Sequence, residues 1–146
     1  MNLFIVSGAP NTGKSTTVYH LCTYLLNLGY VKTDIPYNGK RYSTSTSFPP
    51  ILANDFSCLL EKEGKKVLIH TATDDVFNID ALVNSINNHK PSIVITTCRD
   101  FGDWPRDYFC SQLKLVNSFI LASTSDIDIE EFPLSRITRR TTRFAT

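Results

Sequence analysis

The chain opens MNLFIVSGAPNTGKSTT, in which Gly8, Gly13, Lys14 and Ser15 have the spacing G-x-x-x-x-G-K-[ST]. Those residue types in that order suit the holding of phosphate. The two glycines free the backbone to turn successive N–H groups inward on an anion, forming a nest. A helix beginning near Lys14 adds its unpaired N–H groups and the positive end of its dipole. Lys14 brings a point charge to the β- and γ-phosphates, and Ser15 a hydroxyl for Mg2+, with Thr16 nearby on the same helical turn. Ala9, Pro10, Asn11 and Thr12 complete the loop. Such a set binds a triphosphate and stabilises charge developing on transfer, but supplies no base for an acceptor.

The flanking sequence agrees with this reading. Leu3-Phe4-Ile5-Val6 is a continuous apolar run, as expected of a strand covered on both faces. Val18, Leu21, Cys22, Leu25 and Leu28 then recur at three- and four-residue steps, which predicts a helix closed near Gly29. On these residues the chain resembles the P-loop NTPase superfamily. GAPNTGKSTT is similar to the loops of small single-domain kinases that phosphorylate metabolites or nucleotides. It also resembles loops of a superfamily of viral helicases, for whose oligomerising module 146 residues is short. The resemblance implies ATP and Mg2+ as cofactors.

It also implies a carboxylate that holds the magnesium through its water shell, placed at the end of an apolar strand near the loop. VLIHTATDD offers Asp74 and Asp75, and IVITTCRD offers Asp100. Asp74 is favoured, with Asp75 and Asp100 as alternatives. A helix N-cap is the structural alternative for the Asp74-Asp75 pair. Asp34 ends the short stretch Tyr30 to Thr33, read as a second strand. In shikimate and gluconate kinases an aspartate at this topological place orients the acceptor hydroxyl, and the resemblance carries that role to Asp34. The alternative is a turn residue beside Pro36. Arg99 and Arg106 follow the fourth predicted strand, where a guanidinium could pair with phosphate. A kinase would carry an arginine-rich lid between the fourth and fifth strands; beyond Arg99, only Arg106 and Lys114 stand there.

The remaining elements have to set these groups on one rim. KVLIHT (66–71), PSIVITT (91–97) and SFILAST (118–124) read as the third, fourth and fifth strands. Helices are expected over 51–63, closed by Gly64, over 78–88, and irregularly over 105–115. Residues 35–50, rich in Pro, Ser and Thr, read as a long loop in which Tyr37 and Tyr42 could meet a substrate. The alternation predicts a three-layer α/β sandwich around a mostly parallel five-stranded sheet. No repeat or linker interrupts it, so residues 1–146 are expected to form a single domain.

Composition narrows the partners. Hydrophobic residues make up 42% and charged residues 20%, with a formal charge of +1. That balance gives no bulk attraction to nucleic acid or membrane. No stretch nears the roughly 20 apolar residues of a membrane span, and no signal peptide is expected. Cys22, Cys58, Cys98 and Cys110 have no metal-binding spacing and read as free thiols of a cytoplasmic protein. Cys98 is the best candidate for a reactive one, since Arg99 follows it. His20, His70 and His89 are too scattered to form a ligand set. Phe101 and Trp104 form an aromatic patch expected to cover a core edge. Arg136, Arg139, Arg140 and Arg143 form a basic tail able to reach a protein, a nucleic acid or a neighbouring nucleotide. The expected function is Mg-ATP-dependent phosphotransfer to a small-molecule or nucleotide acceptor, with Lys14, Asp34 and Arg99 acting. The alternatives are an ATPase that drives a conformational change and a non-catalytic nucleotide-binding module. A GTPase is disfavoured by the lack of D-x-x-G and NKxD motifs.

Overall fold

The computed structural model describes residues 1–36, 55–100, 102–115 and 118–133. The apolar run after Met1 becomes strand β1 (Asn2–Gly8), and the periodic segment beyond the glycine loop becomes helix α1 (Lys14–Asn27). There follow β2 (Val31–Asp34), β3 (Ser57–Lys62), β4 (Lys65–His70), α2 (Val76–His89), β5 (Ile93–Arg99), α3 (Trp104–Leu113), β6 (Phe119–Ser123) and β7 (Ile127–Pro133). The strands form one sheet in the order β2-β3-β4-β5-β1-β7-β6.

Side chains alternate across this sheet and build a core on each face. Leu3, Ile5, Leu68 and Val94 pack with Ile79, Leu82, Val83 and Ile86 of α2 and with Phe109 and Leu113 of α3. Val6, Val67, Ile69 and Ile95 pack with Val18 and Cys22 of α1. Among the described residues no helix is long and apolar enough to cross a membrane.

The expected mostly parallel five-stranded sheet is overturned. The described residues contain seven strands, and only the β1–β5 and β4–β5 pairs are parallel. The pairs β1–β7, β2–β3, β3–β4 and β6–β7 are antiparallel. Three local events produce the difference. Within the predicted helix 51–63, residues 57–62 form β3, while 51–54 lie outside the described residues. Glu63 and Gly64 both take positive φ, at 52° and 80°, and turn the chain straight into β4, with Lys62 opposite Lys65. A two-residue loop of that conformation matches the twist of paired strands. The buried run Ser57–Leu60 is short enough to suit either element, and the turn makes it a strand.

The second event concerns the predicted fifth strand. Among the described residues Phe119–Ser123 pairs only with β7, at the edge of the sheet, because the chain reverses at Thr124–Asp126 instead of crossing over. Phe119, Ile120 and Leu121 are exposed along that edge. The third is β7 itself, a strand not expected from the sequence. It runs antiparallel along β1, with Ile5 opposite Glu130 and Leu3 opposite Phe132.

Glu130 therefore points into the core beneath α3. There Arg106 Nη2 donates to both carboxylate oxygens, at 2.9 and 3.1 Å, and Nη1 donates to the Arg99 carbonyl at 3.1 Å. Both side chains are buried. Burial by itself would raise the Glu130 carboxyl, but the hydrogen bonds from Arg106 hold it below the ordinary value. Arg106 is thus committed to the interior, where it ties α3 and the end of β5 to β7. Glu130→Ala should cost about 3–5 kcal/mol by stranding a buried guanidinium. Replacing Arg106 and Glu130 together with Met and Leu should cost much less. Urea unfolding of the two variants against the wild type checks this.

Candidate functional site

The parallel strands β1, β4 and β5 end on one rim. Register sets Gly8 level with Arg99 on one side and with Ile127 on the other. Gly8 has to be glycine, since a Cβ there would stand 2.6 Å from the Asp126 carbonyl oxygen and 3.0 Å from Thr12 Oγ1. Gly13 is required for a different reason. Its φ of 96° is left-handed, and it forms the cap of α1. Asn11 also takes positive φ, at 60°. Thr12 Oγ1 and Lys14 Nζ both donate to the Ala9 carbonyl, at 2.8 and 2.7 Å, which closes the loop on itself.

The two long helices begin differently. Asp75 caps α2, accepting the Asn78 N–H at 2.8 Å. Among the described residues, the start of α1 has no side-chain cap hydrogen bond, and its first turn has no acidic residue. Its N–H groups and dipole face a cleft of about 290 Å³. Loop residues Pro10 to Thr16 line that cleft together with Asp55, Thr71, Asp74, Thr97 and Arg99.

Its charges are mixed. Arg99 Nε donates to Asp74 Oδ1 at 3.0 Å, with Asp74 59% exposed at the mouth. Burial, then the nearby positive charge of Arg99, hold Lys14 below its ordinary value, against the pull of Asp74 and Asp100. Two cations close enough to oppose one another, beside uncapped N–H groups, suit a multiply charged anion. Deeper in, Ser15 Oγ donates to Asp55 Oδ1 at 3.4 Å, and Thr71 Oγ1 donates to the same oxygen at 3.2 Å. Thr97 Oγ1 donates to the Thr71 carbonyl at 2.9 Å, so the floor is a hydroxyl-rich seam between β4 and β5.

His70 secures the turn that carries Thr71 to Asp75. It is fully buried, with Nε2 at 2.7 and 3.0 Å from the carbonyls of Ala72 and Asn78, and Nδ1 at 3.0 Å from Ser57 Oγ. Carbonyls only accept, so the proton sits on Nε2 and Nδ1 accepts from Ser57. Burial pushes the imidazole down to about 4, against the opposing effect of the two carbonyls.

The structure thus brings together Lys14, Ser15, Thr16, Asp74 and Arg99, but not Asp34. Asp34 ends β2, four strands from β1 in the sheet order, or about 19 Å at ordinary strand spacing. Its carboxylate pairs with Lys32 at 2.9 Å. Asp75 is a helix cap, Arg106 is a core residue, and Asp100 lies outside the cleft lining. Cys98 is buried, and its thiol is pushed up to about 12, the reverse of an activated one. Trp104 is exposed at the start of α3. Tyr37, Tyr42, Phe101 and the arginines at 136, 139, 140 and 143 lie outside the described residues.

Sequence reading missed Asp55. Its signal was an aspartate directly before the buried run Phe56–Leu60, which is informative only once that run is known to be a strand starting at the rim. Among the described residues no three His, Cys, Asp or Glu side chains converge on a cation site. An ion here would draw on Ser15, a carboxylate and oxygens of its ligand. No protein-family model, curated protein or solved structure matches the chain.

The buried neutral His70 sets a pH dependence. Its folded value lies below the ordinary 6.5, so its contribution is complete above pH 6.5 and is lost as pH falls toward 4. That loss should reach about 3 kcal/mol. His70→Gln should be less stable at neutral pH yet lose less between pH 7 and pH 4.5, as measured by urea unfolding across that range.

Proposed function

We propose that the chain is a P-loop NTPase that binds a nucleoside triphosphate with Mg2+ over Gly8–Thr16 and hydrolyses its terminal phosphate. The observation that carries this reading is the uncapped start of α1, which faces a cleft shared by Lys14 and Arg99. N–H groups from the loop and the helix end receive the phosphate oxygens. Lys14, which donates to the Ala9 carbonyl at 2.7 Å, exchanges that bond for the β- and γ-phosphates. An anion between Lys14 and Arg99 also removes their mutual repulsion. Mg2+, when bound, neutralises charge on the phosphates. Ser15 contributes its hydroxyl to that ion.

Arg99 is already in the cleft, paired with an exposed carboxylate in a bond of low cost to break. Drawn onto the terminal phosphate, it stabilises charge as the bond to the leaving oxygen breaks. Asp74 is then left at the cleft mouth, where it can orient a water. Hydrolysis fits these groups better than transfer to a bound acceptor. Transfer needs a group beside the acceptor hydroxyl, and Asp34 stands four strands away.

ATP with Mg2+ at 100 times its Kd should stabilise the protein by about 2.7 kcal/mol. A thermal melt reads that as a shift of about 9 °C, and phosphate release should accompany it. Lys14→Ala should remove both. An unshifted wild-type melt with every triphosphate would overturn the reading, and binding without phosphate release would reduce it to a nucleotide-binding module.

A further inference from the structure

Among the described residues two carboxylates line the cleft, and their surroundings differ. We propose that Asp55, and not Asp74, is the carboxylate that holds the divalent cation beside Ser15; this rests on the triphosphate reading above. Asp74 stands at the exposed mouth with Arg99 Nε on its Oδ1. Asp55 lies deeper, half-buried, and accepts hydrogen bonds from the hydroxyls of Ser15 and Thr71.

The direction of the first of these bonds is informative. A serine hydroxyl that ligates a cation offers the ion a lone pair and must send its proton elsewhere, best to an anionic acceptor. Ser15 already donates toward Asp55, so its lone pairs are left for the cleft. The two oxygens are 3.4 Å apart, near the separation of about 3 Å between neighbouring ligands on an ion with 2.0–2.1 Å bonds. Hydroxyl and carboxylate oxygens are also the hard donors that Mg2+ prefers, supplemented by water and phosphate.

Asp55 is held in place as a site residue requires. Its neighbour Phe56 is buried, donates its N–H to Thr71 Oγ1 at 2.9 Å, and accepts the Thr71 N–H at 3.0 Å. The start of β3 is thereby clamped to the end of β4, at the level of the cleft floor. Register gives the same alignment, with Ser57 opposite His70. The two carboxylates divide the work: Asp55 serves the cation, and Asp74 restrains Arg99 and then faces water.

The test titrates Mg2+ into protein with fluorescent ATP, beside a parallel series in EDTA. Wild type should bind weakly in EDTA and more tightly as Mg2+ is added. Asp55→Asn should keep the EDTA affinity and require about 10- to 100-fold more Mg2+ for half-effect. Asp74→Asn should leave the Mg2+ midpoint in place. A midpoint that moves with Asp74→Asn, or that ignores Asp55→Asn, overturns the proposal. Absence of wild-type binding in both series would instead defeat the underlying nucleotide reading. Should Asp55→Asn fail to fold, Fe2+ substituted for Mg2+ in the wild-type complex with ATP provides the check through oxidative backbone cleavage. Cuts beside residues 15 and 55 support the assignment, and cuts beside 74 overturn it.

Discussion

Strand β1 lies inside the sheet, so both of its backbone edges have to be paired. Strand β5 satisfies one edge in parallel and β7 the other in antiparallel. This requirement places the rest. Pairing with β5 brings Arg99 level with Gly8, and pairing with β7 brings Ile127 level with it from the other side. The glycine loop leaves β1 between these two neighbours and has only one way out, over the rim and into α1. The cleft results from how a central strand ends, with the hydroxyl and carboxylate groups of β3 and β4 arriving from one flank.

Most local features were legible in the sequence where a residue pattern had one physical solution. Gly8 and Gly13, the helix after Lys14, the buried runs of β1, β4 and β5, and the amphipathic α2 belong to this group. The failures share a cause. SCLLEK and IDIEEFP are too short for periodicity to distinguish helix, strand and tail; the first takes its identity from the tight turn into β4, and the second from β1, distant in sequence. Glu63-Gly64 hid one hairpin because glutamate is an unusual occupant of a positive-φ turn position. Glu130 gave no local sign of burial because nothing nearby announces that Arg106 will meet it in the core.

These failures passed directly into the site. With 51–63 read as helix, Asp55 has no assigned place beside the loop, and carboxylates for the rim are looked for only after the apolar strands. With the sheet read as mostly parallel, Asp34 is expected on the rim that carries the loop, and four strands of separation keep it from the cleft. Two antiparallel strands, β3 and β7, instead begin on the rim where the parallel ones end. A carboxylate just before such a strand reaches the same cleft as one just after a parallel strand. Locating charged residues from one sequence therefore depends on strand direction as much as on strand identity.

The Gly8 contact and the Arg106–Glu130 pair have a joint consequence for alignment. Slipping β7 by one residue along β1 would turn Glu130 toward α1 and strand Arg106 in the opposite layer. Slipping it by two would restore the facing but carry the Thr124–Asp126 bend off Gly8. Steric closure at one end of the hairpin and charge matching near the other act as two marks on a ruler. Only one setting satisfies both, and in that setting the wall behind the glycine loop is complete.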